Sequence, residues 1–219
     1  MSADIAILPV LSEPRMVERL LRPIDGRSSL ARTLDCALAE LPGRQVAVTT
    51  DDEGVKAAVR ALGLPVTVHD RSVRDYVPAL AAVVAELSPA ASIVVVLEPT
   101  HPFRPAGLVA RSAAALAARP HLDSVVAVRR LKANLWSIDE SGAIEALTEG
   151  GSARDPEYYQ ELVGLALATR PALLARGRRL GDAVGFEVVP PFWGLVDIRD
   201  EVSLAVAGAV AGRLKEIAA

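Results

Sequence analysis

Four short runs of apolar, largely β-branched residues place the strongest constraint on how this chain can fold. The runs occupy residues 4–10, 45–50, 93–97 and 124–128. A strand with one solvated face alternates apolar and polar side chains, whereas a strand covered on both faces is apolar almost throughout. The longer segments between the runs have the apolar spacing of helices, and they are residues 29–40, 54–62, 77–87 and 106–118. This alternation predicts a three-layer α/β fold with a doubly wound, mainly parallel sheet.

The second half of the chain changes character at Arg129, where charged and turn-forming residues become frequent. Two stretches, 136–138 and 143–147, flank a four-residue loop that ends in Gly142, and glycine can supply the positive φ of a hairpin turn. We therefore expect a β-hairpin within an insertion of about residues 130–158. Further predicted elements are strands at 65–68, 162–168 and 185–189, a polar loop at 150–156, and helices at 171–176 and 201–217. Because no linker or repeat interrupts the sequence, residues 1–219 are predicted to form one domain.

Charge and composition exclude several classes of function. The formal net charge is -3, and the 24 Lys and Arg residues are spread along the chain, which argues against a nucleic-acid partner. The single cysteine, Cys36, excludes an internal disulfide and a cysteine-based zinc cluster, and its apolar neighbours favour a core thiol. No uncharged stretch reaches the roughly 20 residues that span a bilayer, and the N-terminus carries no basic leader. The sequence predicts a cytoplasmic protein with no membrane partner.

Polar segments follow several of the predicted strands, at the edge where open parallel sheets bind ligands. The candidate site residues there are Thr50, Asp51, Glu98, Thr100, His101, Arg104 and Asp197. Thr50 and Asp51 have an alternative role as the cap of the following helix. His101 lies between turn-forming neighbours and is either a loop histidine or a base. Arg104 has no capping value at a helix start and is suited to hold an anion, whereas Asp197 either ligates Mg²⁺ or caps the last helix.

The order of these segments resembles the cytidylyltransferases that activate sialic acid, Kdo and related acidic sugars with CTP. The most specific shared element is PTxPxR, which matches Pro99-Thr100-His101-Pro102-Phe103-Arg104. Weaker matches are residues 6–9 and 22–27 at the ends of the family's phosphate loop, 49–51 for STD, 124–128 with Asn134 and Trp136 for SVVSV…NPYW, and 195–201 for SVDIDTELD. The resemblance spans almost the whole chain, and its collinearity carries more weight than any single match.

The resemblance implies a nucleotide-diphospho-sugar transferase-like fold with a protruding β-hairpin. It also implies transfer of CMP from CTP to an acidic sugar or related hydroxy acid, in which a hydroxyl attacks the α-phosphorus and pyrophosphate leaves. Carried over, it implies nucleotide and substrate contacts at Pro9, Arg19, Arg22, Thr50, Asp51, Glu98, Thr100, His101 and Arg104, catalytic roles for Arg15 and Asp197, and Mg²⁺ on Asp197. A homodimer formed through the hairpin is implied as well. Independently, Trp136 and Ile138 are large apolar residues on a hairpin too small to bury them.

Two departures from the family pattern leave catalysis open. Residues 10–19, where the family has its Gly-rich phosphate loop, contain no glycine and two carboxylates, Glu13 and Glu18. Glycines let the backbone approach phosphate closely, and carboxylates repel it. Arg199 replaces the second acidic residue of the metal site, and a cation cannot coordinate Mg²⁺. The sequence supports two hypotheses: a diverged cytidylyltransferase whose nearby arginines replace the usual phosphate contacts, or a catalytically degenerate homologue that acts as a binding or assembly protein.

Overall fold

A computed structural model describes residues 4–147, 157–190, 192 and 196–217 of the 219-residue chain. Its strands are β1 (Ile5–Val10), β2 (Pro23–Ile24), β3 (Arg27–Ser28), β4 (Gln45–Thr50), β5 (Thr67–Asp70), β6 (Val94–Val96), β7 (Ser124–Leu131), β8 (Trp136–Ile138), β9 (Ile144–Ala146), β10 (Tyr158–Glu161), β11 (Leu167–Thr169) and β12 (Val184–Val188). Its helices are α1 (Pro14–Leu21), α2 (Ser29–Glu40), α3 (Glu53–Ala61), α4 (Tyr76–Leu87), α5 (Leu108–Ala118), α6 (Pro171–Ala175) and α7 (Glu201–Ile217). None of these helices is long and apolar enough to cross a membrane.

One large sheet forms the centre of the fold, and the pairs β2–β3 and β8–β9 stand apart from it. The order of the sheet is β10-β7-β11-β6-β1-β4-β5, and β12 also pairs with β7. Strand β1 is parallel to β4 and β6, β4 to β5, and β12 to β7. Strand β11 runs antiparallel between β6 and β7, and β10 is antiparallel to β7. The predicted mainly parallel sheet is confirmed.

Alternate residues of β1 enter two different cores, one on each face of the sheet. Leu8 packs in a cluster with Leu34 of α2, whereas Ile5 and Ile7 pack in a second cluster with Leu80 of α4. Each of these side chains is fully buried. Burial of an apolar side chain of this size contributes about 1.5–3 kcal/mol. Because helices cover both faces, a polar residue has no solvated side to occupy, which explains the continuous apolar runs.

The main difference from the sequence prediction in the first half is helix α1. The segment predicted as a phosphate loop, residues 10–19, is largely helical, with Pro14 at the first helical position and with Val17 and Leu20 buried. Proline suits this position because the first N–H groups of a helix have no intrahelical partner. The proline and the three-residue apolar spacing are the signals of this helix in the sequence.

The single buried strand predicted at 162–168 is also different in the structure. Strand β10 ends before this segment, β11 occupies only its last residues, and a turn lies between them. The turn forms because Gly164 has a φ of 87° and the N–H of Leu165 donates back to the carbonyl of Leu162 at 3.0 Å. The apolar run correctly predicted burial, since Leu162 and Leu165 are buried. It did not indicate the turn.

The predicted β-hairpin is confirmed. Strands β8 and β9 pair antiparallel, and Gly142 in the connecting loop has a φ of 84°. The exposed fractions of Trp136, Ile138 and Ile144 are 64%, 70% and 66%. The predicted polar loop at 150–156 lies outside the described residues. The described part of the hairpin therefore presents large apolar side chains to its surroundings.

Candidate functional site

A cleft of about 370 Å³ lies over the carboxyl ends of the parallel strands, next to helix α1. Its lining residues are Pro9, Val10, Leu11, Glu13, Met16, Leu20, Arg71, Arg74, Tyr76, Glu98, Pro99, Thr100 and Arg199. They come from the ends of β1, β5 and β6, from the helices that follow, and from the segment before α7. Open parallel sheets bind ligands at this edge. Of the predicted site residues, Pro9, Glu98 and Thr100 line the cleft.

Glu98 is held in the cleft by Gly164 and Tyr76. The N–H of Glu98 donates to the carbonyl of Gly164 at 2.9 Å, and a Cβ at Gly164 would lie 2.7 Å from the Glu98 side chain. Glycine is therefore required there by contact as well as by its positive φ. The hydroxyl of Tyr76 donates to Glu98 Oε1 at 3.1 Å. Burial and the charge of Glu98 raise the pKa of Tyr76, so this hydroxyl remains a donor at neutral pH.

Arg199 lies between two carboxylates. Its Nε donates to Asp197 Oδ2 at 2.8 Å, and its Nη2 is 3.6 Å from Glu98 Oε2. Burial lowers the pKa of Arg199, but the hydrogen bond and charge of Asp197 and the charge of Glu98 raise it overall. The Arg199 side chain is 52% exposed and lines the cleft. It can therefore hold both carboxylates and still meet a ligand.

Three buried polar atoms near the cleft have no hydrogen-bond partner among the described residues: Thr100 Oγ1, His101 Nδ1 and Asp197 Oδ1. His101 Nε2 lies 2.9 Å from the carbonyl of Val163, which assigns the ring proton to this nitrogen, and 3.9 Å from Asp197 Oδ1. Burial lowers the pKa of His101, so the ring is neutral at pH 7. Buried polar atoms rarely go unpaired. Thr100 Oγ1, on a residue that lines the cleft, is thus a candidate contact for a ligand.

Arg104 clamps the backbone around the cleft. Its guanidinium donates five hydrogen bonds, to the carbonyls of Glu98, His101, Gly164 and Leu165 and to the hydroxyl of Thr33, at 2.7–3.3 Å. A guanidinium has five N–H groups, so none remains for the anion that the sequence predicted Arg104 to hold. The bonds tie the segment after β6 to the turn before β11. The role of Arg104 in this structure is to fix the positions of the backbone segments that its guanidinium joins.

The arginines predicted to contact phosphate on and after α1 lie outside the lining of the cleft. Arg19 Nε and Arg22 Nη1 each donate to one oxygen of Glu201, at 3.0 and 2.8 Å. Arg19 also donates to the carbonyl of Arg199 at 3.2 Å. These contacts join α1 to the first turn of α7 and support the segment that carries Arg199. Arg15 is exposed on α1 and is not among the lining residues.

Asp51 supports the loop between β1 and α1, and Thr50 supports the turn that follows β4. Asp51 Oδ1 accepts a hydrogen bond of 2.6 Å from the N–H of Ser12, and the hydroxyl of Thr50 accepts one of 3.1 Å from the N–H of Asp52. The cap of α3 is Asp52, whose Oδ1 accepts from the N–H of Val55 at 3.0 Å. The capping role considered for Thr50 and Asp51 therefore falls to the next residue. Neither of the two lines the cleft.

Sequence reasoning missed three cleft residues that follow β5, namely Arg71, Arg74 and Tyr76. The guanidinium of Arg71 donates to the carbonyls of Val73 and Arg74, which shapes this segment. The guanidinium of Arg74 makes no hydrogen bond or ion pair within the described parts of the chain. The sequence does contain a signal for these residues, because a segment with two arginines follows the carboxyl end of a parallel strand, where ligands bind. With Arg199, Arg71 and Arg74 give the cleft three lining cations, and Glu13 and Glu98 are its two lining carboxylates.

The carboxylate to which the resemblance assigns Mg²⁺ is already in an ion pair with Arg199. Mg²⁺ needs oxygen ligands at about 2.0–2.1 Å in octahedral geometry, but Asp197 Oδ2 is already paired with Arg199. Within the described ranges there is no group of three or more His, Cys, Asp or Glu side chains that could hold a metal ion. Arg199, a cation of the protein itself, therefore competes with a metal ion for the one carboxylate that the resemblance assigns to it.

Comparison with known proteins gives a structural likeness at low sequence identity. No family model matches the chain, and no curated protein matches it. A structure of CMP:2-keto-3-deoxy-manno-octonic acid synthetase complexed with CTP aligns with 96% of this chain and 98% of its own, with a TM-score of 0.72 and 16% identity. The 4-diphosphocytidyl-2C-methyl-D-erythritol synthase of Anaerococcus prevotii aligns with 96% of each chain, with a TM-score of 0.71 and 14% identity. The likeness shows that this chain shares the α/β fold of these two proteins.

Proposed function

We propose that this protein binds CTP in the cleft and transfers CMP to the hydroxyl of an acidic sugar or related hydroxy acid. The observation that carries the proposal is the convergence of Arg71, Arg74 and Arg199 over the strand ends, in a fold shared with a synthetase whose structure holds CTP. Guanidinium groups bind phosphate and carboxylate oxygens through paired hydrogen bonds. A triphosphate and an acidic acceptor together call for several such groups.

In the proposed reaction, a hydroxyl oxygen of the acceptor attacks the α-phosphorus of CTP. A new oxygen–phosphorus bond forms, the bond from the α-phosphorus to the oxygen that bridges it to the β-phosphate breaks, and pyrophosphate leaves. The hydroxyl proton passes to a base, and Glu98 is the more enclosed of the two lining carboxylates, with 15% of its side chain exposed. The arginines around the cleft stabilise the negative charge that develops on the phosphate oxygens.

A second candidate is a catalytically degenerate homologue that binds a ligand or assembles with a partner. One observation favours it: helix α1 stands in place of a phosphate loop, and Glu13, its N-cap residue, lines the cleft. A carboxylate at this position repels a triphosphate. Under this alternative, the protein binds CTP or an acidic sugar and releases no pyrophosphate.

Pyrophosphate release from wild-type protein separates the two candidates. The assay uses CTP with a panel of acidic sugars and hydroxy acids, with and without Mg²⁺, on protein shown by circular dichroism to be folded. Release that requires both CTP and an acceptor supports CMP transfer. A rise in melting temperature with CTP, which ligand binding to the native state requires, combined with no release supports the second candidate. Absence of release across the whole panel would end the catalytic proposal.

A further inference from the structure

We propose that the cleft binds its anionic ligand without a divalent cation, because the guanidinium of Arg199 supplies the positive charge between Glu98 and Asp197. The inference rests on the proposed function for the kind of ligand, a nucleoside triphosphate or its pyrophosphate portion. It concerns how the ligand's charge is neutralised, and it holds whether or not CMP is transferred.

The first step of the argument is the position of Arg199. Its Nε lies 2.8 Å from Asp197 Oδ2, and its Nη2 lies 3.6 Å from Glu98 Oε2. The guanidinium lies against both carboxylates and offsets part of their negative charge. A metal ion in the same place would have to displace Arg199 or lie against its positive charge, and both are unfavourable.

The second step concerns the other oxygen of each carboxylate. Asp197 Oδ1 is buried and lies 3.9 Å from Nε2 of His101. Glu98 Oε1 already accepts the hydroxyl of Tyr76 at 3.1 Å. Each carboxylate therefore has one oxygen facing Arg199, and its other oxygen is either buried, in Asp197, or hydrogen-bonded to Tyr76, in Glu98.

The third step is that Arg199 has donors left for a ligand. Of its five N–H groups, one is hydrogen-bonded to Asp197, and the contact with Glu98 at 3.6 Å is an ion pair beyond normal hydrogen-bond length. The side chain is 52% exposed and lines the same cleft as Arg74. Two guanidinium groups with free donors at one cleft can bind phosphate oxygens through paired hydrogen bonds.

The test is titration calorimetry of wild-type protein with CTP and, separately, with inorganic pyrophosphate, in buffer that contains either EDTA or millimolar Mg²⁺. We expect each ligand to bind in EDTA, with a dissociation constant within about threefold of that in Mg²⁺. Arg199→Ala is expected to weaken binding in EDTA about tenfold or more, the loss of one charge-assisted contact. The matched control is Arg119→Ala, since Arg119 is exposed beyond α5 and does not line the cleft. Circular dichroism and melting temperature verify that both variants are folded.

The outcomes separate this inference from the proposed function. Binding in EDTA without pyrophosphate release would end the catalytic proposal and support metal-free binding. Pyrophosphate release together with binding that EDTA abolishes would overturn metal-free binding and leave catalysis standing. Failure of both ligands to bind in either buffer, or an unchanged affinity in Arg199→Ala, would also overturn the inference.

Discussion

Arg104 Nη2 donates a hydrogen bond of 2.7 Å to the backbone carbonyl of Glu98, six residues earlier in the chain. The same guanidinium also holds the carbonyls of Gly164 and Leu165, about 60 residues later. The backbone position of Glu98 therefore depends on a buried cation that does not itself line the cleft. This relationship makes Arg104 a positioning residue for the site.

Replacement of Arg104 by alanine is expected to destabilise the fold by about 3 kcal/mol or more, because several buried carbonyls lose their donor at once. For a domain of this size that corresponds to a fall in melting temperature of roughly 6–12 °C. Arg104→Lys keeps the charge but cannot donate five bonds in fixed directions, so it should restore little. The measurement is thermal unfolding by calorimetry. Full stability in Arg104→Lys would show that charge, rather than the hydrogen-bond pattern, is what matters.

Gly164→Ala should destabilise the protein through two separate effects. Its φ of 87° is strained for alanine, at about 1–2 kcal/mol, and the added Cβ would lie 2.7 Å from the Glu98 side chain. Gly43→Ala is the matched control, because Gly43 has a φ of 75° and no heavy atom within 4 Å of its Cβ position. We expect urea denaturation to give a larger loss for Gly164→Ala. Equal losses would show that the contact with Glu98 relaxes at no cost.

Most of the fold could be predicted from the sequence because it depends on local patterns. The observed β4 and α2 have the predicted limits, Gln45–Thr50 and Ser29–Glu40. A strand that is buried on both faces has a continuous apolar run in its sequence. A helix that is buried on one face has apolar residues spaced three and four apart. Helix α1 was missed because a family resemblance assigned its residues to a loop, although Pro14 and the apolar spacing of α1 indicate a helix.

The site was less predictable because the roles of its side chains depend on residues that are distant in sequence. Arg104 was predicted to hold an anion, and only the folded chain reveals the four carbonyls and one hydroxyl that use its donors. Arg74 was missed although it follows the carboxyl end of β5. The distance between Arg199 and Glu98 likewise depends on the meeting of two separate segments. Sequence thus located the edge of the sheet that forms the cleft better than it assigned individual roles there.

Arg74→Ala should weaken CTP binding with little effect on stability. The guanidinium of Arg74 lines the cleft, and Arg74 is exposed. A charge-assisted hydrogen bond to phosphate contributes about 1.5–3 kcal/mol, so the dissociation constant for CTP should rise roughly tenfold to a hundredfold. Calorimetric titration measures this, with Arg119→Ala as a control outside the cleft. Equal CTP affinities in the two variants would place the nucleotide elsewhere.

Cys36 should be unreactive towards alkylating reagents at pH 8. Burial raises the pKa of its thiol from 9.0 to about 11; the charge of Arg104 opposes the rise and Glu40 adds to it. The thiolate fraction at pH 8 is then roughly 100-fold below that of an exposed cysteine, and the alkylation rate falls with it. Because the folded-state pKa is raised, the stability linked to this group is present below about pH 9 and is lost as the pH rises towards about 11. Mass spectrometry of iodoacetamide labelling, compared with protein unfolded in urea, measures the effect. Equal rates in the two states would contradict it.

The hairpin is expected to mediate self-association into a two-fold dimer. Trp136, Ile138 and Ile144 project from strands β8 and β9 with about two-thirds of their surfaces exposed, and apolar groups grouped in this way usually mark an interface. Light scattering at micromolar concentration should give twice the chain mass of 23.0 kDa. Trp136→Ser should shift the protein towards monomer because truncation of a buried aromatic anchor costs an interface about 2 kcal/mol or more. Phe186→Ser is the matched control, since Phe186 is 48% exposed but lies on β12 in the main sheet. If the wild type is a monomer, or if only Phe186→Ser dissociates the dimer, the hairpin is not the interface.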